Sequence, residues 1–163
     1  MISIDSFKSD TSEMVSLLKH LAEAESPTTN KAAVDHMGAI VAGEMERLGA
    51  HVEIDRQAEA GNNVIARWQG DSSLKNIVLL FHMDTVYPVG TVEHQPVLEK
   101  DGALFGSGVL DMKGGIAIFA EAVKKLREAG LMGKRSLAAL FTSDEETGSH
   151  HSRAQIERLA REA

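Results

Sequence analysis

Three short segments of the chain carry side chains that could bind a metal ion and activate water. They read His-Met-Asp-Thr at 82–85, Asp-Met-Lys-Gly-Gly at 111–115 and Ser-Asp-Glu-Glu-Thr-Gly-Ser at 143–149. Together they supply one imidazole and several carboxylates, which are ligands that zinc accepts in proteins. Hydrolysis at a metal also needs a carboxylate that takes a proton from the attacking water. The residue types therefore indicate a metal-dependent hydrolase.

Two of these segments follow apolar runs that are typical of buried β-strands. The runs are residues 77–81 and 137–141. Continuous apolar runs are expected where helices cover a strand on both faces. The remaining segment lies in a glycine-rich stretch, 106–115, and opens a predicted helix. Because open α/β sheets bind ligands at the carboxyl ends of their strands, we expect the segments to meet at one rim of the sheet.

The composition is that of a globular chain and excludes several classes of function. The length of 163 residues fits one domain, and the formal net charge of -7 and the 4% aromatic content argue against a nucleic-acid partner. No apolar run approaches the ~18 residues of a membrane span, and the first ten residues lack a signal-peptide core. The chain has no cysteine, which excludes disulfides and thiolate zinc sites. We therefore expect a cytoplasmic protein without a membrane partner.

Hydrophobic periodicity predicts the elements that must position these segments. The first predicted helix contains residues 14–21, has Asp10 and Glu13 as a capping box, and stops before Pro27. A second helix is expected to begin near residue 30 and to end at Gly49. The later predictions are strands at 52–55 and 64–68, a short hairpin at 101–102, and helices at 114–129 and 152–163. This order of helices and strands indicates α/β layers.

His82 has two interpretations when the residues are considered alone. A histidine that ends a strand is more often a hydrogen-bonded edge residue than a metal ligand. Metal-bound histidines, however, commonly rely on a carboxylate that fixes the orientation of the ring. Asp84 could orient His82 in this way, so both interpretations stay open at this point.

Asp111 also has an ordinary interpretation, as the N-cap of the helix that follows it. Its surroundings do not form a phosphate-binding loop. A dinucleotide fingerprint would need a glycine where Asp111 stands, and a P-loop would need Gly-Lys-Ser or Gly-Lys-Thr after a strand.

The run of Asp144, Glu145 and Glu146 is the most unusual local feature. Acidic runs usually lie on solvated surfaces, but this one directly follows a predicted buried strand. Adjacent carboxylates there need a cation or a shared proton, which favours a metal or acid–base role. The nearby pair His150 and His151 is interpreted as a neighbour of this run and not as ligands. The other histidines are predicted to be ordinary: His20 and His36 lie on predicted helices, His51 opens a strand, and His94 lies in a loop.

In order along the chain, the three segments resemble the metal motifs of a two-zinc metallopeptidase family. This is the family of glutamate carboxypeptidase, aminoacylase, acetylornithine deacetylase and succinyl-diaminopimelate desuccinylase. The first motif is residues 81–88, the second 106–115 and the third 142–149, and residues 63–66 and 152–153 also fit. The resemblance covers nearly the whole chain.

Some residues around the motifs refine the resemblance. Tyr87, Gly90 and the Ser-Arg pair at 152–153 favour the glutamate carboxypeptidase branch. His151 departs from the family, because glycine often occupies that place.

The resemblance implies a role for each candidate residue. Asp111 would bridge two zinc ions, His82 would bind one of them, and Glu146 would bind the other. Glu145 would be the general base for the bridging water, and Asp84 would orient His82. The cofactors would be two zinc ions per complete site, with cobalt or manganese as alternatives.

The resemblance also implies a fold and an extent. The expected fold is a three-layer α/β zinc-peptidase-like catalytic domain with a mixed, mostly parallel sheet. Residues 1–163 would be its truncated amino-terminal portion. A further carboxylate ligand, a distal histidine ligand and a dimerisation domain occur in the family but are not supplied here; full-length relatives are often homodimers. The peptide bond between Asp111 and Met112 is expected to be cis, and missing strands are expected to expose a sheet edge.

The implied reaction is hydrolysis of a peptide or N-acyl amide bond beside a free carboxylate. The substrate would be a small peptide or an N-acyl amino acid. Two alternatives stay open, namely an N-acyl-amino-acid deacylase of the same family and a catalytically inactive fragment that binds metal weakly. The chain on its own is expected to be inactive.

Overall fold

The computed structural model describes residues 2–71 and 73–163, which form six helices and six strands. In chain order these elements are α1 (Ile4–Lys8), α2 (Thr11–Glu23), α3 (Lys31–Arg47), β1 (His51–Asp55), β2 (Asn63–Trp68), β3 (Ile77–His82), α4 (Thr91–His94), β4 (Leu98–Lys100), β5 (Ala103–Phe105), α5 (Gly114–Glu128), β6 (Leu137–Thr142) and α6 (Arg153–Glu162). A wide helical turn, Val109–Lys113, precedes α5, and a 3-10 turn, Glu145–Thr147, follows β6. None of the described helices combines the length and apolar character needed to cross a membrane.

Four strands form one mixed sheet in the order β1-β2-β6-β3. β2 is antiparallel to both of its neighbours, whereas β3 and β6 are parallel, with Phe81 opposite Phe141. The expectation of a mixed sheet is confirmed, but the expectation that it is mostly parallel is wrong for these residues. The connections explain the difference, because a short loop joins β1 to β2 and only β3 and β6 are separated by a helix that can serve as a crossover.

Helices α2, α3 and α5 cover one face of this sheet. The inward side chains of α3 recur at helical spacing and are 0% exposed; they are Val34, Met37, Val41 and Met45. Asn30 begins the helix as predicted, since its side chain accepts a hydrogen bond from the Ala33 N–H at 3.1 Å. Gly49 follows its end with φ of 81°, a backbone conformation that favours glycine.

Helix α6 covers part of the opposite face. Leu159 and Ile156 of this helix pack with three sheet residues, namely Ile65, Ala138 and Leu140. The sheet therefore lies between two helical layers. This arrangement agrees with the α/β layers that the order of elements indicates.

β3 is an exposed edge strand, and the prediction that it is covered on both faces is wrong. Ile77 is 46% exposed and Leu80 is 50% exposed. Within residues 2–71 and 73–163, β3 pairs with β6 alone. The N–H groups of Ile77 and Met83 donate toward β6, so the backbone groups of the alternate residues Val78 and Leu80 point to the free edge. An apolar run reports a preference for burial, whereas the actual burial depends on which neighbouring elements are present.

We expect the 163-residue polypeptide to self-associate through this free edge, because unpaired backbone groups and apolar side chains together form a template for strand pairing. Leu80→Lys should reduce the association, since a lysine blunts an edge strand. Sedimentation over a concentration series measures the effect. Ile4→Lys is the matched control, because Ile4 is 72% exposed and lies on α1. A mass that is monomeric at every concentration for the unmodified chain would contradict the expectation.

Helix α2 begins where the sequence predicts, but the capping-box prediction is wrong. Asp10 stands at the N-cap without a side-chain capping bond. Its carboxylate instead accepts hydrogen bonds from Lys125 at 2.5 Å and Lys124 at 3.2 Å. The bond from Lys125 holds the pKa of Asp10 well below its usual range. Asp10 therefore joins the start of α2 to α5.

Residues 86–106 contain one predicted and one unexpected element. β4 and β5 form the predicted hairpin, and Asp101 and Gly102 at its tip have positive φ angles of 52° and 75°. α4 was not expected from the sequence; nor was α1. Both helices are too short to show a hydrophobic period.

Candidate metal centre

Three side chains that could bind a metal ion converge at one rim of the sheet. One ligand atom from each of His82, Asp111 and Glu146 lies within 4.8 Å of the other two. His82 ends β3, Glu146 lies in the turn after β6, and Asp111 lies in the turn before α5. Because β3 and β6 are parallel neighbours, they end at the same rim. The structure thus brings together the three residues that the resemblance implies as metal ligands.

The imidazole of His82 is buried, and each of its ring nitrogens has a hydrogen-bond partner. Nδ1 lies 3.1 Å from the Asp84 carbonyl oxygen and 3.5 Å from Asp84 Oδ1. Nε2 lies 2.9 Å from Asp111 Oδ1. The backbone N–H of His82 donates to Met112 Sδ at 3.2 Å. A ring held through Nδ1 presents Nε2 to the cleft, as metal-bound histidines do.

Asp84 is fully buried and connects the first and third motifs. Its carboxylate accepts hydrogen bonds from the N–H groups of Glu145 and Glu146 at 3.2 and 3.1 Å. It also accepts one from Thr28 Oγ1 at 2.7 Å. Burial opposes ionisation, but the bonds from His82, Thr28 and the Glu146 N–H outweigh it and lower the pKa of Asp84.

The adjacent glutamates Glu145 and Glu146 both approach His82. Glu145 Oε2 lies 3.9 Å from His82 Nε2, and the Glu145 side chain is 53% exposed. Burial raises the pKa of Glu146, and although His82 lowers it, the charges of Asp111, Asp84 and Glu145 raise it further. Burial and the neighbouring carboxylates thus both favour the protonated form of Glu146.

Asp111 does not cap the following helix. The residue before α5 is Lys113, which makes no side-chain capping bond. The Asp111 side chain is 73% exposed and its carboxylate contacts His82. The peptide bond between Asp111 and Met112 is cis, as the resemblance implies.

Asp144, the first residue of the acidic run, has a structural role. It is buried and accepts hydrogen bonds from the His151 N–H at 2.6 Å and from the Ser152 hydroxyl. Asn63 of β2 accepts a hydrogen bond from the Ser143 N–H at 3.2 Å, and its Oδ1 lies 2.7 Å from Ser152 Oγ. These bonds hold the third motif against β2. In the described part of the chain the imidazoles of the His150–His151 pair lie outside the metal-binding group.

Sequence reasoning missed segment 24–28, which lies between α2 and α3. Ser26 Oγ donates to the Met83 carbonyl oxygen at 2.7 Å, and the Thr85 N–H donates to the Ser26 carbonyl oxygen at 2.9 Å. Thr28 is the hydroxyl partner of Asp84. Hydroxyl residues on both sides of Pro27 were the available signal, but their partners are distant in sequence.

A second group of carboxylates is paired with two lysines, Lys124 and Lys125. It consists of Asp10, Glu13 and Glu121. Lys124 Nζ lies 2.5 Å from Glu13, 3.2 Å from Asp10 and 3.6 Å from Glu121. These carboxylates already have cationic partners, so the group is not proposed as a metal site.

Comparison with known proteins identifies the family. The sequence profile of peptidase family M20/M25/M40 matches residues 78–163, which is more than half of the chain. The chain belongs to this family. Carboxypeptidase G2 of Pseudomonas sp. (strain RS-16) is 31% identical over 150 residues, which cover 91% of this chain and 36% of that protein. Succinyl-diaminopimelate desuccinylase of Rickettsia typhi is 34% identical over 143 residues, which cover 82% of this chain and 36% of that protein.

Solved structures show the same fold. Human carnosine dipeptidase 1 matches with a TM-score of 0.80 at 21% identity, over 94% of this M20-family chain and 36% of that chain. The metallo-carboxypeptidase Sso-CP2 of Sulfolobus solfataricus matches with a TM-score of 0.77 at 18% identity, over 91% and 35%. The M20-family chain therefore spans about a third of the length of the relatives it matches. The family is one of metallohydrolases that include peptidases and deacylases.

Proposed function

We propose that this chain is the amino-terminal part of the catalytic domain of a zinc-dependent hydrolase. The observation that carries the proposal is the convergence of His82, Asp111 and Glu146 within 4.8 Å. One imidazole and two carboxylates suit zinc, with cobalt or manganese as alternatives. The extent of the match supports the same proposal, since 91% of the chain corresponds to 36% of carboxypeptidase G2.

The proposed reaction is cleavage of a peptide or N-acyl amide bond beside a free carboxylate. The names of the relatives support substrates of this kind, because they include a carboxypeptidase, a desuccinylase and a dipeptidase. A deacylase acting on N-acyl amino acids is the second candidate, which the similarity to the desuccinylase favours. The two candidates differ in their preferred substrate. The test is to measure kcat/KM on a fully active assembly for an N-acyl amino acid and for a dipeptide with the same carboxyl-terminal residue, and to compare the two values.

Each residue of the site has a proposed role. Asp111 would be shared by two metal ions, His82 would hold one, and Glu146 would hold the other. Bound metal ions supply a Lewis acid for the scissile carbonyl and lower the pKa of bound water. Glu145 is the proposed proton acceptor for the attacking water, because its carboxylate is exposed and 3.9 Å from His82 Nε2. Asp84 orients His82 and holds the turn that carries both glutamates.

Zinc titration of the metal-free chain tests the proposed metal centre. We expect His82→Ala and Glu146→Gln each to weaken zinc binding by about tenfold or more, because each removes a direct ligand; even outer partners of ligands typically contribute 10–100-fold. His94→Ala and Glu46→Gln are matched controls, since both side chains are exposed and lie outside the group. Calorimetry measures the affinities. Equal zinc affinity for His82→Ala and His94→Ala would refute the proposed centre.

We expect the 163-residue polypeptide alone to show no turnover at an ordinary enzyme rate. A catalytic zinc typically has three protein ligands and a water. His82, a shared Asp111 and Glu146 would leave each of two metal ions one protein ligand short. The test is an assay of amide hydrolysis at saturating zinc, in which the unmodified polypeptide is compared with its Glu145→Gln variant. Ordinary turnover that Glu145→Gln abolishes would contradict the expectation and would mean that another residue completes the site.

A further inference from the structure

Lys113 is a fully buried charged residue beside the proposed metal centre. It is 0% exposed, and its Nζ donates a hydrogen bond to the Ala24 carbonyl oxygen at 2.9 Å. Burial lowers the pKa of Lys113 to about 8, and the negative charge of Glu25 opposes this shift. Burying an ammonium group is unfavourable unless it is paired and hydrogen-bonded, so an apolar side chain would fill the same space at a lower cost. The charge at this position therefore calls for an explanation beyond packing.

The turn that carries Asp111 packs closely against the Lys113 side chain. The N–H of Lys113 donates to the Gly108 carbonyl oxygen at 2.9 Å. A Cβ at Gly108 would lie 3.2 Å from Cδ and Cε of Lys113 and 2.8 Å from Thr85 Cγ2, and φ at Gly108 is 70°. Only glycine satisfies both the space and the backbone conformation. The position of the turn is thus coupled to the position of the lysine.

The segment that receives the lysine also holds the other two motifs. Within segment 24–28, Ser26 Oγ donates to the Met83 carbonyl oxygen at 2.7 Å. Thr28 Oγ1 donates to Asp84 Oδ2 at 2.7 Å, and the Asp84 carboxylate in turn accepts from the N–H groups of the third motif. Through Lys113, this one segment connects the second motif to the first and the third.

Glu25 is itself held in a fixed position. Its two carboxylate oxygens accept hydrogen bonds from the N–H of Gly90 at 2.8 Å and from the N–H of Val92 at 2.9 Å. The negative charge that faces Lys113 is therefore anchored to the start of α4. The hydrogen bond to the Ala24 carbonyl oxygen fixes the ammonium group directly, and Glu25 adds a negative charge whose own position is fixed.

We propose that Lys113 is a positioning residue that sets the place of Asp111 relative to His82 and Glu146. This inference rests on the proposed function, because it concerns the same three ligands. Lys113 is buried and acts through the backbone of the Asp111 turn. The Asp111 side chain is 73% exposed, so its place depends on the backbone of that turn more than on packing around the carboxylate.

Lys113→Met tests this role, because it removes the charge and keeps a side chain of similar length. We expect zinc affinity to fall by about tenfold or more, in the range seen when a group that orients a ligand is lost. The visible spectrum of the cobalt-loaded chain should also change, since that spectrum reports ligand geometry. Lys124→Met is the matched control, because Lys124 has a partly buried side chain whose ammonium group binds the carboxylates of Asp10 and Glu13. Lys124→Met should retain the zinc affinity and the cobalt spectrum even where it lowers the thermal stability.

A readout without metal separates this inference from the proposed function. In the metal-free chain, we expect Lys113→Met to shift the NMR signal of the His82 ring, because Asp111 would leave Nε2. Suppose that Lys113→Met shifts the His82 signal, but that His82→Ala binds zinc as tightly as the unmodified chain. This pair of results would refute the proposed function and support the positioning role. Unchanged zinc affinity, cobalt spectrum and His82 signal in folded Lys113→Met would overturn the positioning role.

A second variant decides the question if Lys113→Met does not fold. Glu25→Gln removes the counter-charge of the lysine without changing the size of the side chain. We expect it to weaken zinc binding severalfold and to shift the His82 ring signal in the same direction. If Glu25→Gln leaves the affinity and the signal unchanged while Lys113→Met is unfolded, Lys113 is a residue of the core and the proposal is wrong.

Discussion

Phe141→Ala is expected to lower the free energy of unfolding by about 3–5 kcal/mol, the usual range for removing a buried aromatic side chain. Phe141 is 0% exposed and lies in β6 at the centre of the sheet. Its ring centroid is 5.1 Å from that of Phe81 in β3 and 6.2 Å from that of Phe119 in α5. Alanine would leave a cavity and break both aromatic pairs. Equilibrium denaturation with urea measures the loss.

Phe105→Ala is the matched control for this experiment. Phe105 lies in the β4–β5 hairpin and is 55% exposed. Its replacement should change the free energy of unfolding by about 0.5 kcal/mol or less, as is usual for exposed positions. If both variants lose the same free energy of unfolding, the rings of Phe81, Phe119 and Phe141 do not join the sheet to α5.

The second large effect is expected for Asp84→Asn. An amide has the size of the carboxylate but one acceptor oxygen, and its NH₂ group would face N–H donors. The buried donors of Glu145, Glu146 and Thr28 cannot all be satisfied, so the free energy of unfolding should fall by about 1–3 kcal/mol. We expect zinc affinity to fall by about 10–100-fold, because the variant loses the carboxylate that lies 3.5 Å from His82 Nδ1 and accepts the Glu146 N–H, and we propose that this carboxylate orients both ligands. Denaturation and calorimetry measure the two effects on the same sample.

Asp55→Asn separates the loss of folding from the loss of orientation. Asp55 accepts hydrogen bonds from the side chains of Gln57 and Asn63 at 2.7 and 2.9 Å. It lies in β1, and it is not one of the three converging ligands. We expect Asp55→Asn to leave zinc affinity unchanged. If Asp84→Asn and Asp55→Asn bind zinc equally well, Asp84 does not orient a metal ligand.

The strands show how far an apolar run can be interpreted. Residues 77–81 and 137–141 have the same pattern, and both are strands. β6 is buried because β2 and β3 flank it, whereas β3 is exposed because β6 is its one neighbour in the described chain. The pattern records which side chains prefer burial. The number of neighbouring strands is a property of the assembled sheet and has no local signal.

The start of α2 shows a similar limit. Asp10 and Glu13 have the spacing of a capping box, and the helix does begin beside them. Their carboxylates nevertheless bind Lys124 and Lys125, which are more than a hundred residues away along the chain. A charged hydrogen bond to an ammonium group is stronger than one to a neutral N–H, so the long-range partner prevails over the local one.

The candidate site likewise contains residues that the sequence predicts and residues that it does not. The residue types and order of His82, Asp111 and Glu146 are readable from three motifs, because each motif is local. Thr28 and Lys113 were missed, since the acceptor of Thr28 lies 56 residues away and that of Lys113 lies 89 residues away. Neither partnership leaves a periodic or spaced pattern in the sequence.

The sequence by itself determined the family, the helices with a clear apolar period, and the side chains able to bind a metal, because these depend on residue type and short spacing. The tertiary structure alone decided that the ligand atoms of His82, Asp111 and Glu146 lie within 4.8 Å, that β3 is an edge, and that segment 24–28 joins the three motifs. Each of these depends on bringing distant segments together. The parallel pairing of β3 with β6 places the first and third motifs at one rim, and the buried Lys113 connects the second motif to segment 24–28.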